Sequence, residues 1–396
     1  MALSVYVHIP YCLQRCRYCD FTTFEQSEIL PPDKYTRWVL EEIRQRHHFW
    51  PDRKISTLYF GGGTPSLIAP EHIVAITREL ANVGFTFLDD CEKTIEINPA
   101  TINEDNLKTY FEVGINRFSV GAQTFNDRLL QLCGRKHNSK DTRHTLEILQ
   151  KHNLNYSFDL LFALPSQTLA ELTQDLDEVA KLDPPHLSAY CLTVPEGHPM
   201  ASGRAPEAEQ VEMFDLIESR LKERGILKYE ISNFAKPGFE SKHNMVYWND
   251  QNYWGLGLSA HSYDRNSGAN GMRFWNPKSL DLYGQQVALK GSQFLNILPA
   301  DQRELLETHE ALTDFCHMHL RTTKGLHQSA LRNRFSEEVL ASLWPRLNQL
   351  CQSDLLVSYP SHWALSQKGS LVSNLVFEKL TFLRSDLPLS TLTISH

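Results

Sequence analysis

Cys12-Leu13-Gln14-Arg15-Cys16-Arg17-Tyr18-Cys19 sets three thiols at the spacing CxxxCxxC, directly after the β-rich run Ser4 to Ile9. A strand that delivers three soft donors into one loop can wrap them around a compact iron-sulfur cube. Three ligands leave the fourth iron of a 4Fe-4S cluster without a protein donor. The amino and carboxylate groups of S-adenosylmethionine (SAM) can chelate that iron, and an electron from the cluster can then cleave the sulfonium, so the cofactor pair carries the difficult chemistry. A zinc site with a distant fourth ligand, or three unrelated buried cysteines, are the alternatives on spacing alone.

Outward from this loop, five more short apolar runs alternate with helical patterns: Ser56 to Phe60, Thr94 to Ile97, Arg117 to Gly121, Ser157 to Phe162 and Leu187 to Thr193. Tyr35, Trp38, Val39 and Ile43 form an apolar helical stripe, as do Leu169, Leu172, Leu176 and Val179. Six β/α units predict a parallel α/β fold, either a partial (β/α)6 TIM-like barrel or an open sheet. The strand ends carry the cysteines, Gly61-Gly62-Gly63-Thr64-Pro65-Ser66 and Asn98-Pro99, as expected for a site on the carboxyl face of the strands.

The alternation stops near residue 290. Helical segments over Arg303 to Leu320 and Glu337 to Cys351 precede a hairpin over Leu355 to Ser366, so we expect domains at 1–290 and 291–396, the second helical and winged-helix-like. From residue 301 onward there are nine Lys and Arg against ten Asp and Glu, which argues against DNA binding by the wing.

The chain has 396 residues, 41% of them hydrophobic and 22% charged, a globular composition with room for a large core. A formal charge of -8 disfavours unspecific nucleic-acid binding. The opening residues lack a secretory pattern, and no run of about 18 apolar residues suggests a membrane span, so a cytoplasmic protein is expected. Eight cysteines, five of them scattered (Cys91, Cys133, Cys191, Cys316, Cys351), fit a reducing compartment and packing roles better than a disulfide framework.

The segments flanking the loop, Tyr6-Val7-His8-Ile9-Pro10 and Tyr18-Cys19-Asp20-Phe21, make the chain resemble the radical SAM superfamily, in its coproporphyrinogen oxidase-like branch, over nearly its whole length. That resemblance implies cluster ligation by Cys12, Cys16 and Cys19. It also implies SAM contacts from Tyr6, Tyr18, Gly62, Gly63, Thr64, Glu96, Gln123, Arg135, Asp159, Thr193 and His261. Chemically, glycines allow a close backbone approach, carboxylates and an amide can bond ribose hydroxyls, and a guanidinium can pair with a carboxylate. Singly, the glycine run reads equally well as a tight turn, and each polar residue as a structural pair.

Coproporphyrinogen oxidases of this branch carry CxxxCxxCxC, whereas Phe21 stands here at the fourth cysteine. His243-Asn244-Met245-Val246-Tyr247-Trp248 instead resembles the HNxxYW marker of the branch's haem chaperones, the HemW family, as does Tyr229-Glu230-Ile231-Ser232-Asn233-Phe234-Ala235. An imidazole can ligate haem iron and aromatic rings can face a porphyrin, which makes His243 a haem-ligand candidate; a hydrogen-bonded structural histidine is the alternative. Gly255 to Tyr263 could close over the barrel mouth or form a turn-rich strand boundary. His198 and Met200, in the loop after the sixth strand, could approach haem but are expected at the surface.

The resemblance thus implies a haem chaperone that passes haem to acceptors such as membrane respiratory enzymes. It leaves open enzymatic turnover, a homodimer and peripheral membrane association. The rival is an oxygen-independent coproporphyrinogen oxidase acting in porphyrin biosynthesis. A radical SAM enzyme with another substrate is a third reading.

Overall fold

The structure is a computed structural model that describes residues 2–289 and 298–391. The expected domain boundary at 290/291 lies outside the described residues.

Strands β1 (Leu3–Ile9), β2 (Lys54–Gly62), β3 (Thr86–Ile97), β4 (Arg117–Gln123), β5 (Asn155–Phe162) and β6 (His186–Cys191) lie parallel and adjacent in chain order. All six expected strands are present. In β1 the alternate residues Leu3, Val5, Val7 and Ile9 are buried, and Ser4 and His8 on the other face are buried too. Both faces are covered, as in parallel sheets, and each buried aliphatic side chain contributes about 1.5–3 kcal/mol. Helices form the outer layer. In Pro32–Arg46, Tyr35, Val39 and Ile43 are buried and Trp38 is half-buried. Helix Leu169–Leu182 starts on a capping box between Thr168 and Glu171, and Asp183 ends it in the left-handed region.

The sheet extends past the six strands. Short antiparallel strands β7 (Leu227–Lys228) and β8 (Asn233–Ala235) flank β6. On the far side of β1 stand β9 (Tyr253–Leu256), which is parallel to it, then antiparallel β10 (His261–Asp264), β11 (Met272–Trp275) and β12 (Arg303–Leu305). Among the described residues the full order is β12-β11-β10-β9-β1-β2-β3-β4-β5-β6-β8-β7. The Gly255–Tyr263 segment therefore does not close over the mouth; it runs from β9, which pairs with β1, into β10, which pairs with β9. Gly255 is required there, because a Cβ would stand 2.1 Å from the His261 carbonyl oxygen. The turn between them abuts the loop leaving the cysteines, where the Thr22 hydroxyl donates to Ser259 at 3.2 Å.

A buried ionic network holds that turn. Glu42 and Arg46 pair on one helix, and Glu42 also accepts from Gly257 N at 2.9 Å, Asn276 Nδ2 at 2.8 Å and Tyr283 Oη at 2.6 Å. A buried carboxylate persists when its lone pairs are met in this way.

The C-terminal part has its own apolar core, including Leu312, Phe315, Leu320, Leu340, Leu343 and Leu347. Helices Thr308–Arg321, Gln328–Arg334 and Glu337–Gln352 pack with a three-stranded sheet, Leu326–His327, His362–Leu365 and Leu356–Ser358. The expected hairpin is the antiparallel pair Leu356–Ser358 and His362–Leu365. This core takes in Tyr263 from β10, and β12 belongs to the large sheet. A further link joins Ile231 N to the Arg321 carbonyl at 3.1 Å. Among the described residues, no helix is long and apolar enough to cross a membrane.

Candidate functional site

At the carboxyl ends of β1 to β6 lies a cavity of about 430 Å³. Its wall holds Cys12, Cys16 and Cys19, and all three are part-exposed and free of disulfides. Burial raises the Cys12 and Cys19 thiols above their ordinary pKa, so any metal they bind would have to displace their protons. Among the described residues, no three Cys, His, Asp or Glu donors converge on one point as a single metal ion requires. Three part-exposed thiols rimming a cavity suit a larger multi-iron cluster with three protein ligands.

The same cavity gathers Tyr18, Gly62, Gly63, Thr64, Glu96, Gln123, Arg135, Asp159 and Thr193. The glycine segment serves differently from expectation. Gly62 N donates to Glu96 Oε2 at 3.0 Å, Gly63 N to the Ile9 carbonyl at 2.8 Å, and Thr64 N to the Tyr11 carbonyl at 2.7 Å. These amides are spent inside the protein, so any ligand contact from the segment falls to carbonyl oxygens and side chains. Gly62 has φ +111°, and a Cβ there would stand 2.5 Å from the His8 ring. Sequence reading left His8 unassigned; it is buried beneath Gly62 and bonds Tyr6 Oη at 3.1 Å and the Thr22 carbonyl at 2.9 Å. Burial lowers its pKa to about 4, so it is neutral at pH 7.

Asn98, noted in sequence only as part of a loop, proves to be a hub. Its Nδ2 donates to Thr64 Oγ1 at 2.8 Å, and its Oδ1 accepts from Arg135 at 2.7 Å. Arg135 also donates to the Gly121 carbonyl at 2.6 Å and to Cys16 Sγ at 3.4 Å. Gln123 is buried at the end of β4 with φ +68°, a conformation uncommon for a residue with a Cβ. Thr193 is exposed on the rim, and Tyr18 packs on a small apolar cluster around Leu129, Leu161 and Leu164. Met200 belongs to that cluster and is 3% exposed, which corrects the surface expectation.

Two carboxylates mark the cavity floor. Burial raises the Glu96 pKa to about 7, against the hydrogen bond from Tyr59, while the Asp159 charge raises it further. Burial also raises Asp159 to about 6, opposed by Ser188, Arg135 and Arg117.

Three expected residues lie elsewhere. Tyr6 sits inside the barrel, its ring 6.0 Å from Tyr59. His261 is exposed on β10 and stacks on Trp275 at 5.6 Å. His243, the haem-ligand candidate, is 2% exposed, with Nδ1 bonded to Thr57 Oγ1 at 2.7 Å and Nε2 to Tyr247 Oη at 2.9 Å. Its ring stacks on Tyr59 at 4.9 Å, and burial lowers its pKa to about 3. With both ring nitrogens engaged, His243 offers no lone pair to an iron in this arrangement. The motif's helix, Lys242–Trp248, starts on Glu92, which accepts from Lys242 N and His243 N, and ends with Trp248 beneath the Arg321 guanidinium.

Residues 6–179 match the Radical SAM superfamily. The chain is 33% identical over 384 residues to the heme chaperone HemW of Bacillus subtilis, covering 94% of this chain and 98% of that one. With the heme chaperone HemW of Haemophilus influenzae it shares 30% identity over 385 residues, covering 95% and 97%. The solved structure of coproporphyrinogen III oxidase (HemN) from Escherichia coli superposes with a TM-score of 0.80 at 22% identity, over 96% of this chain and 90% of that one, which establishes a shared fold. By the cavity its strand ends build and by these full-length relatives, the chain belongs to the radical SAM superfamily and, within it, to the HemW family.

Proposed function

We propose that the protein is a haem chaperone: it binds haem and hands it to acceptor proteins, with a 4Fe-4S cluster and SAM as resident cofactors. The full-length likeness to relatives named heme chaperone carries this reading. Phe21, where the oxidase pattern has cysteine, favours it over the oxidase.

Cys12, Cys16 and Cys19 would hold the cluster. Asn98, Thr64, Glu96, Gln123, Arg135 and Asp159, with Tyr18 and Thr193 at the edge, would hold SAM. When bound, the pair supplies an electron to a cleavable sulfonium. The protein's own contribution is orientation: Arg135 sets its positive charge beside Cys16 and fixes Asn98, and Asn98 fixes Thr64. We assign His243 to the barrel interior, with Tyr6, Tyr59 and Tyr247 as its partners, and not to haem iron. We also read the protein as cytoplasmic.

The deciding experiment is anaerobic incubation of the reconstituted full chain with SAM, a reductant and coproporphyrinogen, beside a haem titration. Stoichiometric haem uptake without protoporphyrinogen is the expected result. Sustained protoporphyrinogen formation would replace the chaperone with the oxidase.

A further inference from the structure

Behind Glu96 and Asp159, on the side away from the cysteines, the barrel axis holds a second cavity of about 60 Å³. Its walls are almost wholly polar. Serines from three neighbouring strands face it, Ser119, Ser157 and Ser188, as do Thr94 and the titratable or charged groups Glu96, Asp159, Arg117, His186, Tyr59 and Tyr190. Arg117 is 2% exposed, stands 3.8 Å from Glu92 and donates to the Phe239 carbonyl at 3.1 Å. Asn244 of the HNxxYW segment also lines the chamber and is partly exposed.

Two of these lining residues carry a buried polar atom without a hydrogen-bond partner. Thr94 Oγ1 and His186 Nδ1 belong to side chains that are 0% and 2% exposed. His186 cannot turn away to satisfy itself, because its Nε2 is bonded to Tyr229 Oη at 2.9 Å. A buried polar atom left unbonded costs about 1–3 kcal/mol. A water molecule needs only about 10–15 Å³ of such space and two to four polar partners. This chamber has the space, and its lining residues are polar.

We propose that the chamber is an internal water site, anchored by Thr94 and His186, that gives Glu96 and Asp159 a proton route to solvent past Asn244. A proton leaving Glu96 passes to a chamber water, and that water releases one of its own protons outward along the chain. No group is oxidised or reduced, and His186 anchors the chain without taking the charge. Both carboxylates face the chamber as well as the cofactor cavity, so they can exchange protons while a ligand fills the cavity. The raised pKa values of Glu96 and Asp159 fit groups that change charge near neutrality. The motif's Asn244 thereby gains a role separate from that of His243.

High-resolution crystals of the full chain test the site itself. Water density bonded to Thr94 Oγ1 and His186 Nδ1 is expected; a chamber without density, or one filled by repacked side chains, overturns the proposal. Infrared detection of carboxyl protonation after a pH jump, with saturating SAM and no reductant, tests the route, with Glu96→Gln identifying the band. Asn244→Leu, which plugs the outlet, should slow the response several-fold, and Thr94→Val, which removes one anchor at nearly constant volume, should slow it less. Unchanged rates in both variants would discard the route. This arm rests on the cavity being the SAM site. Should SAM fail to bind, that reading falls, while the crystallographic arm still decides whether the chamber holds water.

Discussion

Arg135 donates from one terminal guanidinium nitrogen to the sulfur of Cys16 at 3.4 Å, and from the other to Asn98 Oδ1 at 2.7 Å and the Gly121 carbonyl at 2.6 Å. A planar fork reaches the three acceptors from two separate nitrogens, whereas an ammonium's donors all radiate from one atom. Arg135→Lys should therefore lower the iron retained per chain after anaerobic reconstitution and cost about 1–3 kcal/mol in urea unfolding, because the Asn98 and Gly121 oxygens lose a donor. Iron analysis beside the urea curve checks both; full iron content at wild-type stability would make Arg135 dispensable.

Serine at Cys12, Cys16 and Cys19 together should abolish the broad visible absorption and the Mössbauer signature of a 4Fe-4S cluster, since a hydroxyl is a poor substitute for a thiolate. The barrel should still fold, because these side chains are part-exposed and lie outside the main core. A circular dichroism melt reports on the fold separately from the iron.

Glu42→Ala removes the acceptor shared by Arg46, Gly257, Asn276 and Tyr283, and takes the carboxylate from beside the buried Arg46, which keeps the Asn276 oxygen. A loss of about 3–5 kcal/mol is expected from breaking such a pair. Glu42→Gln, which keeps one acceptor, should lose less.

His243→Ala should leave a void beneath Tyr59 and strip the Thr57 and Tyr247 hydroxyls of their partner. We expect a stability loss of about 2–4 kcal/mol and an unaltered absorption spectrum in the haem-loaded folded fraction. A displaced Soret band would return the imidazole to the iron.

Acid should act through the same ring. His243 has a folded pKa of about 3 against an ordinary value of 6.5, so the unfolded chain binds a proton that the folded one refuses. Its contribution is complete above pH 6.5 and is lost as pH falls from there toward 3, at about 1.4 kcal/mol per pH unit. Glu96 and Asp159 act in the opposite sense, since their raised pKa values favour the folded state as pH drops below 7 and 6. The comparison must therefore be made between variants. Urea midpoints at pH 7 and pH 5 should fall further in the wild type than in His243→Gln.

The barrel was legible because each of its six strands holds a short apolar run followed by a loop with chemistry in it, although β3 starts at Thr86, well before the Thr94 to Ile97 run that betrayed it. The three cysteines were legible because their spacing is local. What the sequence withheld depends on partners distant in the chain. Strand β9 reads as Tyr-Trp-Gly-Leu, and the glycine that suggested a turn is demanded by a backbone crossing with His261. The amides of Gly62, Gly63 and Thr64 looked available until their acceptors on Glu96, Ile9 and Tyr11 were placed. His243 looked like a ligand because a motif says nothing of burial, and its two bonding partners lie 186 and 4 residues away. Asn98 gave only the signal of a polar residue at a strand end, just before a proline.

Strand β12 comes from beyond residue 298 yet completes the edge of the large sheet, and Tyr263 reaches the other way into the C-terminal core. Cutting the chain near residue 290 would thus bare the backbone of β11 along a whole ladder and leave an aromatic ring uncovered. Such a fragment invites strand-to-strand aggregation, and the two halves should melt as one calorimetric unit.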